Sequence, residues 1–439
     1  MKNLRRLILL TLAFLPAACA SSPPTETPAI GTPAPGGWTA PGEVDDGAPS
    51  NDPGWWKTFG DGGLDTAIEE CLGNNHDLRI AAVRVDRAEA QAISSGADRL
   101  PVLRLQADGA KSQRNFIGLP IPGMNGIPRN RFSNYGAALN LSWELDIWGR
   151  LRSAKAASLA DQEAVLADLY GARLSLVGQT CKAWFAALEA TRQEELAAAT
   201  VENYQASEKQ VRERYERGLR SPLDLRLARA NLATAEDNLE STRIRKDGAL
   251  RQLEILLGRY PAAALEAATA LPQIPGEVPA GLPSELLSRR PDMLSLERRL
   301  AGQRARLRQA KVSLLPRISL SSSTGTSTNE LRDIVNQDFS VWSLAANLLQ
   351  PIFQGGRLLA GIDLADSNLR EALETYARGA LRAFAEVETT LALESFLARR
   401  EAALSRAVEQ SQSARDLAED RYARGLDGII TLLSAQRDA

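Results

Sequence analysis

An internal duplication constrains this chain more than any other feature. Arg214-Tyr215-Glu216-Arg217-Gly218-Leu219 returns as Arg421-Tyr422-Ala423-Arg424-Gly425-Leu426, with five of six residues identical at a spacing of 207. Gly149-Arg150 and Gly356-Arg357 lie at the same spacing, each closing a strand-like segment and opening a long Ala/Leu/Glu/Arg stretch. Further upstream, Asp77 matches Asp292 and Leu100-Pro101 matches Leu315-Pro316 at a spacing of 215, so the first copy holds eight extra residues between the markers. Matched landmarks at so long a period mean two copies of one unit, built as helix, hairpin and very long helix.

At 439 residues with 5% aromatics and abundant Ala, Leu, Glu and Arg, the chain favours long packed helices over a globular enzyme core. A formal net charge of −2 offers no basic field for phosphate contacts, which argues against a nucleic-acid partner. Lys2, Arg5 and Arg6 precede an apolar run from Leu7 to Ala18, too short to cross a bilayer and right for a secretory core, so residues 1–18 are expected to be a signal peptide. The run closes on Leu15-Pro16-Ala17-Ala18-Cys19, which resembles a bacterial lipobox with Pro16 in the usual place of Leu. Cys19 is the candidate lipidation residue, and several acyl chains on it would meet the need for more than one chain in stable anchoring. Ordinary cleavage near Ala18, with Cys19 incidental, is the alternative. Residues 19–54, rich in Pro, Gly, Ser and Thr, read as a tether. Cys71 and Cys181 fall in helical patterns without metal spacing and read as buried free thiols.

A helix is predicted from about Asp77 to the stop at Leu100-Pro101. Leu103 to Ala107 then alternates. After a Gly/Pro/Asn-rich loop, Leu139, Leu141, Trp143, Leu145 and Ile147 alternate with Asn140, Ser142, Glu144 and Asp146 up to Trp148. Such a strand fits either a protein core or a transmembrane barrel with an aqueous lumen, and periodicity alone does not choose. The second copy repeats the plan, with Ile318 and Leu320 alternating against Arg317, Ser319 and Ser321, and a return segment from Val341 to Phe353. Four strands are too few to enclose a channel, since about eight are needed merely to fill a barrel, so a barrel demands several chains.

Between Arg150 and Arg217 there is no proline and little glycine, giving a helix of about 65 residues and on the order of 100 Å. Tyr170, Leu174, Val177, Cys181, Trp184 and Leu188 step along it at coiled-coil spacing, as do Tyr376, Ala380, Phe384, Val387 and Leu391 in the second copy, and both stripes are expected to pack helices. Each long helix ends at Tyr-x-Arg-Gly-Leu. In the first copy Gly218 suits a left-handed C-cap, Ser221 an N-cap and Pro222 a first helical turn, so a helix hairpin is predicted.

The chemistry of an enzyme is missing. His76 is the single histidine, in Asn74-Asn75-His76-Asp77 at a predicted helix start where Asp77 or Asn75 serves as cap. No phosphate loop, dinucleotide glycines, nucleophile elbow or two-histidine metal pattern is present in the sequence. Neither a cofactor nor a metal is expected.

Leu287-Ser288-Arg289-Arg290-Pro291-Asp292, then Glu297-Arg298-Arg299-Leu300 and Leu315-Pro316-Arg317-Ile318-Ser319-Leu320, resemble the hallmark of TolC-like outer-membrane efflux factors, specifically the NodT-type lipoproteins of RND systems. Gln350 to Arg357, Ala383 to Glu388, Trp55-Trp56 with Phe59-Gly60, and Leu432 to Arg437 look like further signatures of that family, which together cover the chain from about Trp55 onward. The resemblance implies a fold that is mainly α with β: long coiled-coil helices forming a periplasmic α-barrel, plus two β-hairpins contributing four strands to a trimeric, twelve-stranded transmembrane β-barrel. It implies a lipid-anchored outer-membrane homotrimer extending into the periplasm, in contact with outer-membrane lipid. The implied function is a passive exit duct for small molecules such as drugs, energised by an inner-membrane RND pump reached through a periplasmic adaptor. The implied periplasmic entrance and adaptor contact comprise Gly218, Leu219, Ser221, Asp224, Gly425 and Leu426, with Asp224 matching an acidic constriction residue. The expected domains are the first repeat at 55–258, a connector at 259–290 and the second repeat at 291–439.

Two departures from that pattern stand out. The second-copy counterpart of Asp224 is Thr431, and Ser434 stands where the family commonly has an acid, so the acidic ring is expected to be thin. The helix after the first tip runs to about Leu257-Gly258, whereas its counterpart would be cut short by about 25 residues at Ala439, which suggests a truncated member that assembles poorly. The alternatives are a non-channel periplasmic coiled-coil lipoprotein serving as a scaffold, and a truncated, non-functional efflux factor.

Overall fold

The computed structural model describes residues 37–39, 54–115, 117, 127, 129–265, 271–272 and 283–438. The expected signal peptide, Cys19 and most of the expected tether lie outside them. Among the described residues the helices are α1 (Gly62–Asn74), α2 (His76–Ala97), α3 (Arg150–Glu216), α4 (Pro222–Leu256), α5 (Pro283–Arg289), α6 (Pro291–Val312), α7 (Arg357–Ala423) and α8 (Ile429–Asp438). The strands are β1 (Val102–Asn115), β2 (Arg129–Leu145), β3 (Arg317–Thr328) and β4 (Ser340–Leu349). The duplication holds to the residue: α2 and α6 are each 22 residues long at the 215 spacing, and α3 and α7 are each 67 residues long at the 207 spacing. The long helices start where they do because Gly149 (φ +83°) and Gly356 (φ +82°) take a left-handed turn that residues with a Cβ resist.

The chain forms two compact units. The first comprises the described parts of 84–166 and 295–377, and holds the whole sheet. Its strands run antiparallel in the order β1-β2-β3-β4, so β2 and β3, from different copies, are neighbours while β1 and β4 are edges. Strand β2 stops at Leu145, short of the Trp148 predicted from alternation. The reason is Asp146, whose carboxylate accepts from the backbone N–H groups of Leu151 (2.9 Å) and Arg152 (2.8 Å) and so caps α3. Trp148 leaves the strand and donates from its indole Nε1 to the carbonyl of Pro316 at 2.8 Å. Beneath the sheet, Ala157, Ala160 and Ala164 of α3 and Leu300 of α6 are buried. Arg298, 5% exposed, pairs with Glu163 at 3.2 Å and Glu297 at 2.8 Å, and Arg306 pairs with Asp161.

The second unit comprises the described parts of 30–83, 167–294 and 378–439. Its main core joins Ile68 and Cys71 of α1, Cys181 and Trp184 of α3, and Leu250 and Leu253 of α4. Trp184 also donates to Asp61 at 2.9 Å, and Asp61 caps α1. Cys71 and Cys181 are free, buried thiols, and burial pushes Cys181 up to about 11. Asn75, not Asp77, caps α2, accepting from the N–H groups of Asp77 (2.8 Å) and Leu78 (3.2 Å). The coiled-coil stripe of α3 is buried at Val177, Cys181, Trp184 and Leu188, but Tyr170 and Leu174, expected to pack helices, are exposed within this chain. Arg290 of the Arg-Arg-Pro-Asp motif grips Asp292 (3.0 and 2.9 Å) at the head of α6 and Glu386 of α7 (2.7 Å). Trp38, inside the expected tether, stacks edge-on against Phe384 at 6.4 Å, and the Thr39 N–H donates to Glu388 at 2.8 Å.

Candidate functional site

Two surfaces, one in each unit, stand out chemically. The first is the sheet. Leu105 pairs with Leu139 and Leu103 with Leu141, while Leu139, Leu141, Trp143 and Leu145 oppose Thr324, Ser322, Leu320 and Ile318. These in turn oppose Trp342, Leu344, Ala346 and Leu348 of β4. Because alternate residues share a face, the dyad seen in β2 extends through all four strands. The other face carries Arg104, Gln106, Asp108, Asn140, Ser142, Glu144, and Ser319, Ser321 and Ser323. The apolar face is open: Leu105 is 79% exposed, Trp342 81% and Leu344 73%. So large an uncovered apolar surface marks a contact with lipid or protein.

The second surface is the pair of helix tips. At the end of α3 the Gly218 N–H donates to the Tyr215 carbonyl and the Leu219 N–H to the Arg214 carbonyl, both at 2.9 Å. At the end of α7, Gly425 and Leu426 make the same two bonds to Tyr422 (3.0 Å) and Arg421 (2.9 Å). This reciprocal C-cap needs a left-handed residue, which Gly218 (φ +74°) and Gly425 (φ +77°) supply. The hexamer repeats because the turn geometry repeats. Ser221 then starts α4 as predicted, its hydroxyl accepting from the Asp224 N–H at 3.2 Å while its own N–H donates to the Asp224 carboxylate at 3.4 Å. Asp224 is therefore engaged in a capping box, a local task besides any role in a constriction.

The structure brings the two tips together. Val211, Leu225, Ala228, Tyr422, Ile429 and Leu432 form one buried cluster. Arg214 donates to the terminal carbonyls of α7, at Tyr422 (3.3 Å) and Ala423 (3.0 Å), which a cation at a helix C-terminus favours. Its guanidinium and that of Arg220 lie 5.2 and 4.7 Å from the Tyr422 ring centroid, within cation–π range. The copies diverge at one step: the counterpart of Arg220 is Asp427, which pairs with Arg421 at 2.7 Å. The Arg421 guanidinium holds the Asp427 carboxyl below the usual carboxylate range, so this pair is intact at neutral pH and is lost only as the carboxylate is protonated in acid. Gln436 ties α8 to α3 and α7, donating to Ser207 (3.1 Å) and Glu419 (3.0 Å). Leu219 (70% exposed) and Leu426 (64%) project from the tips. Arg214, Arg220, Tyr422 and Asp427 were not foreseen from sequence, although the Arg220/Asp427 mismatch beside an otherwise matched hexamer was a visible signal.

Among the described residues no group of His, Cys, Asp and Glu could hold a metal ion, and no helix is long and apolar enough to cross a membrane. The outer membrane efflux protein family matches residues 67–259 and 282–439, spanning both repeats. This chain belongs to the outer membrane efflux protein family. It is similar to the pyoverdine export outer membrane protein OpmQ of Pseudomonas putida, 33% identical over 440 residues that cover 99% of this chain and 91% of OpmQ. It is also similar to the cation efflux system protein CusC of Escherichia coli, 29% identical over 435 residues that cover 98% of this chain and 92% of CusC. The fold is similar to the crystal structure of a membrane protein from Pseudomonas aeruginosa, with a TM-score of 0.84 at 31% identity over 96% of this chain and 94% of that one. This efflux protein is thus a non-enzymatic outer-membrane channel component of tripartite efflux systems. The long helices and two hairpins expected from sequence are those of the family's solved channels.

Proposed function

We propose that three copies of this efflux protein close their four-stranded sheets into one twelve-stranded barrel in the outer membrane, and that their helices enclose a periplasmic duct. The observation that carries this reading is the sheet with one uncovered apolar face and two open edge strands. In lipid every strand edge must find a partner, and four strands cannot close on themselves. The duct is passive, with energy supplied by an inner-membrane pump of the RND type through a periplasmic adaptor.

The paired tips, with Gly218, Leu219, Ser221, Asp224, Gly425 and Leu426, form the periplasmic entrance and meet the adaptor. The exposed Leu219 and Leu426 suit apolar docking. With Thr431 and Ser434 in place of acids, the entrance is weakly cation-selective at most. Cys19 carries the lipid anchor. The cargo is small molecules such as drugs; that relatives named for pyoverdine export and for cation efflux share this architecture supports a cargo chosen by the pump.

The test is expression with the signal segment, extraction of outer membranes in mild detergent, and measurement of assembled mass with single-channel conductance. A conducting trimer is expected; a monomer without conductance overturns the reading.

A further inference from the structure

We propose that the lipid-facing side of the β1–β2 hairpin carries a band of cations, Lys111, Arg129 and Arg131, that grips phosphorylated lipid headgroups of the surface leaflet. This rests on the membrane orientation proposed above. The register pairs Lys111 with Ser133, Gln113 with Arg131 and Asn115 with Arg129, so Lys111, Arg129 and Arg131 occupy the same face that lower down presents Leu103, Leu105, Leu139 and Leu141. The apolar stretch of β2 from Leu145 to Tyr135 rises about 33 Å along the strand, and at the usual barrel tilt about 25 Å along the membrane normal, the height of a barrel's apolar belt. Tyr135 stands at the belt edge, where aromatic girdles sit. By the same arithmetic Lys111 stands about 5 Å above Tyr135, and Arg131 and Arg129 about 10 and 15 Å above it, within headgroup reach of long, snorkelling side chains.

The charge on this face is of one sign. The two carboxylates of the strand pair, Asp108 and Glu144, both fall on the opposite face. Lys111, Arg129 and Arg131 are all exposed. Arg131 donates from Nε to Gln113 at 2.7 Å, which fixes its guanidinium plane and leaves the terminal nitrogens directed onward. Two guanidinium forks and one ammonium point charge suit phosphate oxygens. Because the cations continue an apolar belt, the fitting ligand has acyl tails beside the belt and phosphate above it. Arg114, on the other face and 5.4 Å from the Phe132 ring centroid, is a built-in control.

The protein is reconstituted in phosphatidylcholine vesicles containing either diphosphorylated lipid A or the same glycolipid stripped of phosphate. It is then re-extracted, and the retained glycolipid is weighed by mass spectrometry. Wild type is expected to retain the phosphorylated form at least about tenfold better, a preference lost in the Lys111→Gln, Arg129→Gln, Arg131→Gln triple variant and kept in Arg114→Gln. Equal retention of the two glycolipids by wild type overturns the proposal without reference to any variant. So does a preference that survives the triple substitution, or one abolished by excess inorganic phosphate, which marks an isolated anion site. Conductance of the same vesicles separates the two readings: a conducting protein without preference removes the band alone, whereas failure to insert removes the band and the channel together.

Discussion

Tyr215 and Tyr422 occupy the same place in a duplicated hexamer and lead different lives. Tyr422 is 1% exposed beneath two arginines, whereas Tyr215 is 40% exposed. Tyr422→Ala is expected to cost about 3–5 kcal/mol, as for other buried aromatics, while Tyr215→Ala stays within about 0.5 kcal/mol. Because the Tyr422 hydroxyl is buried without a hydrogen-bond partner, Tyr422→Phe is expected to be neutral or stabilising. Urea midpoints of the three variants decide this, and equal losses at the two tyrosines would refute it. Glu254 behaves differently. Burial raises its pKa, but the N–H groups of Ala263, Ala264 and Leu265, which donate to the carboxylate, outweigh burial and hold it below the usual carboxylate range. A depressed folded-state pKa stabilises at neutral pH and fades as pH falls through the carboxylate range. The stability gap between wild type and Glu254→Gln is therefore expected to be widest at neutral pH and to narrow as the carboxylate is protonated in acid. A gap that grows in acid reverses the sign and the explanation.

At the scale of elements, neighbouring residues of β4 are expected to answer oppositely to the same change. Leu344 lies on the apolar face and Ser343 on the polar one. An arginine on the lipid face costs about 2–4 kcal/mol near the bilayer midplane, whereas a lumen position tolerates it. Leu344→Arg should reduce the heat-modifiable, membrane-inserted fraction several-fold, and Ser343→Arg should leave it near wild type; the reverse pattern would invert the sheet. These faces were legible in β2 from alternation alone. The serine-rich β3 was less legible, since Ser322 and Thr324 occupy the apolar face and register with Leu141 and Leu139 assigns them. The end of β2 was missed because Asp146 continues the alternation and only its bonds to Leu151 and Arg152 reveal a helix cap.

For the whole molecule, closure of the barrel is the decisive question. Within one chain β1 and β4 are separated by two intervening strands, about 14 Å, too far for a disulfide. Gln106→Cys combined in turn with Ser343→Cys, Ala345→Cys and Asn347→Cys is therefore expected to give, in at least one pairing, dimer and trimer bands on non-reducing gels. Monomer throughout the panel would mean that the edges do not meet between copies.

The sequence by itself determined the duplication, the lengths of α2, α3, α6 and α7, the left-handed glycine turns and the dyad of β2. Each of these is written in spacing and in local backbone preference, and the 207 and 215 offsets carry through to the element boundaries. Only the tertiary structure decided which tip tyrosine is buried, that Arg290 ties α6 to α7, that Tyr170 and Leu174 stay uncovered, and that β2 of the first copy pairs with β3 of the second. Those outcomes depend on which distant residues meet, and two nearly identical local sequences meet different neighbours once the chain has folded back on itself.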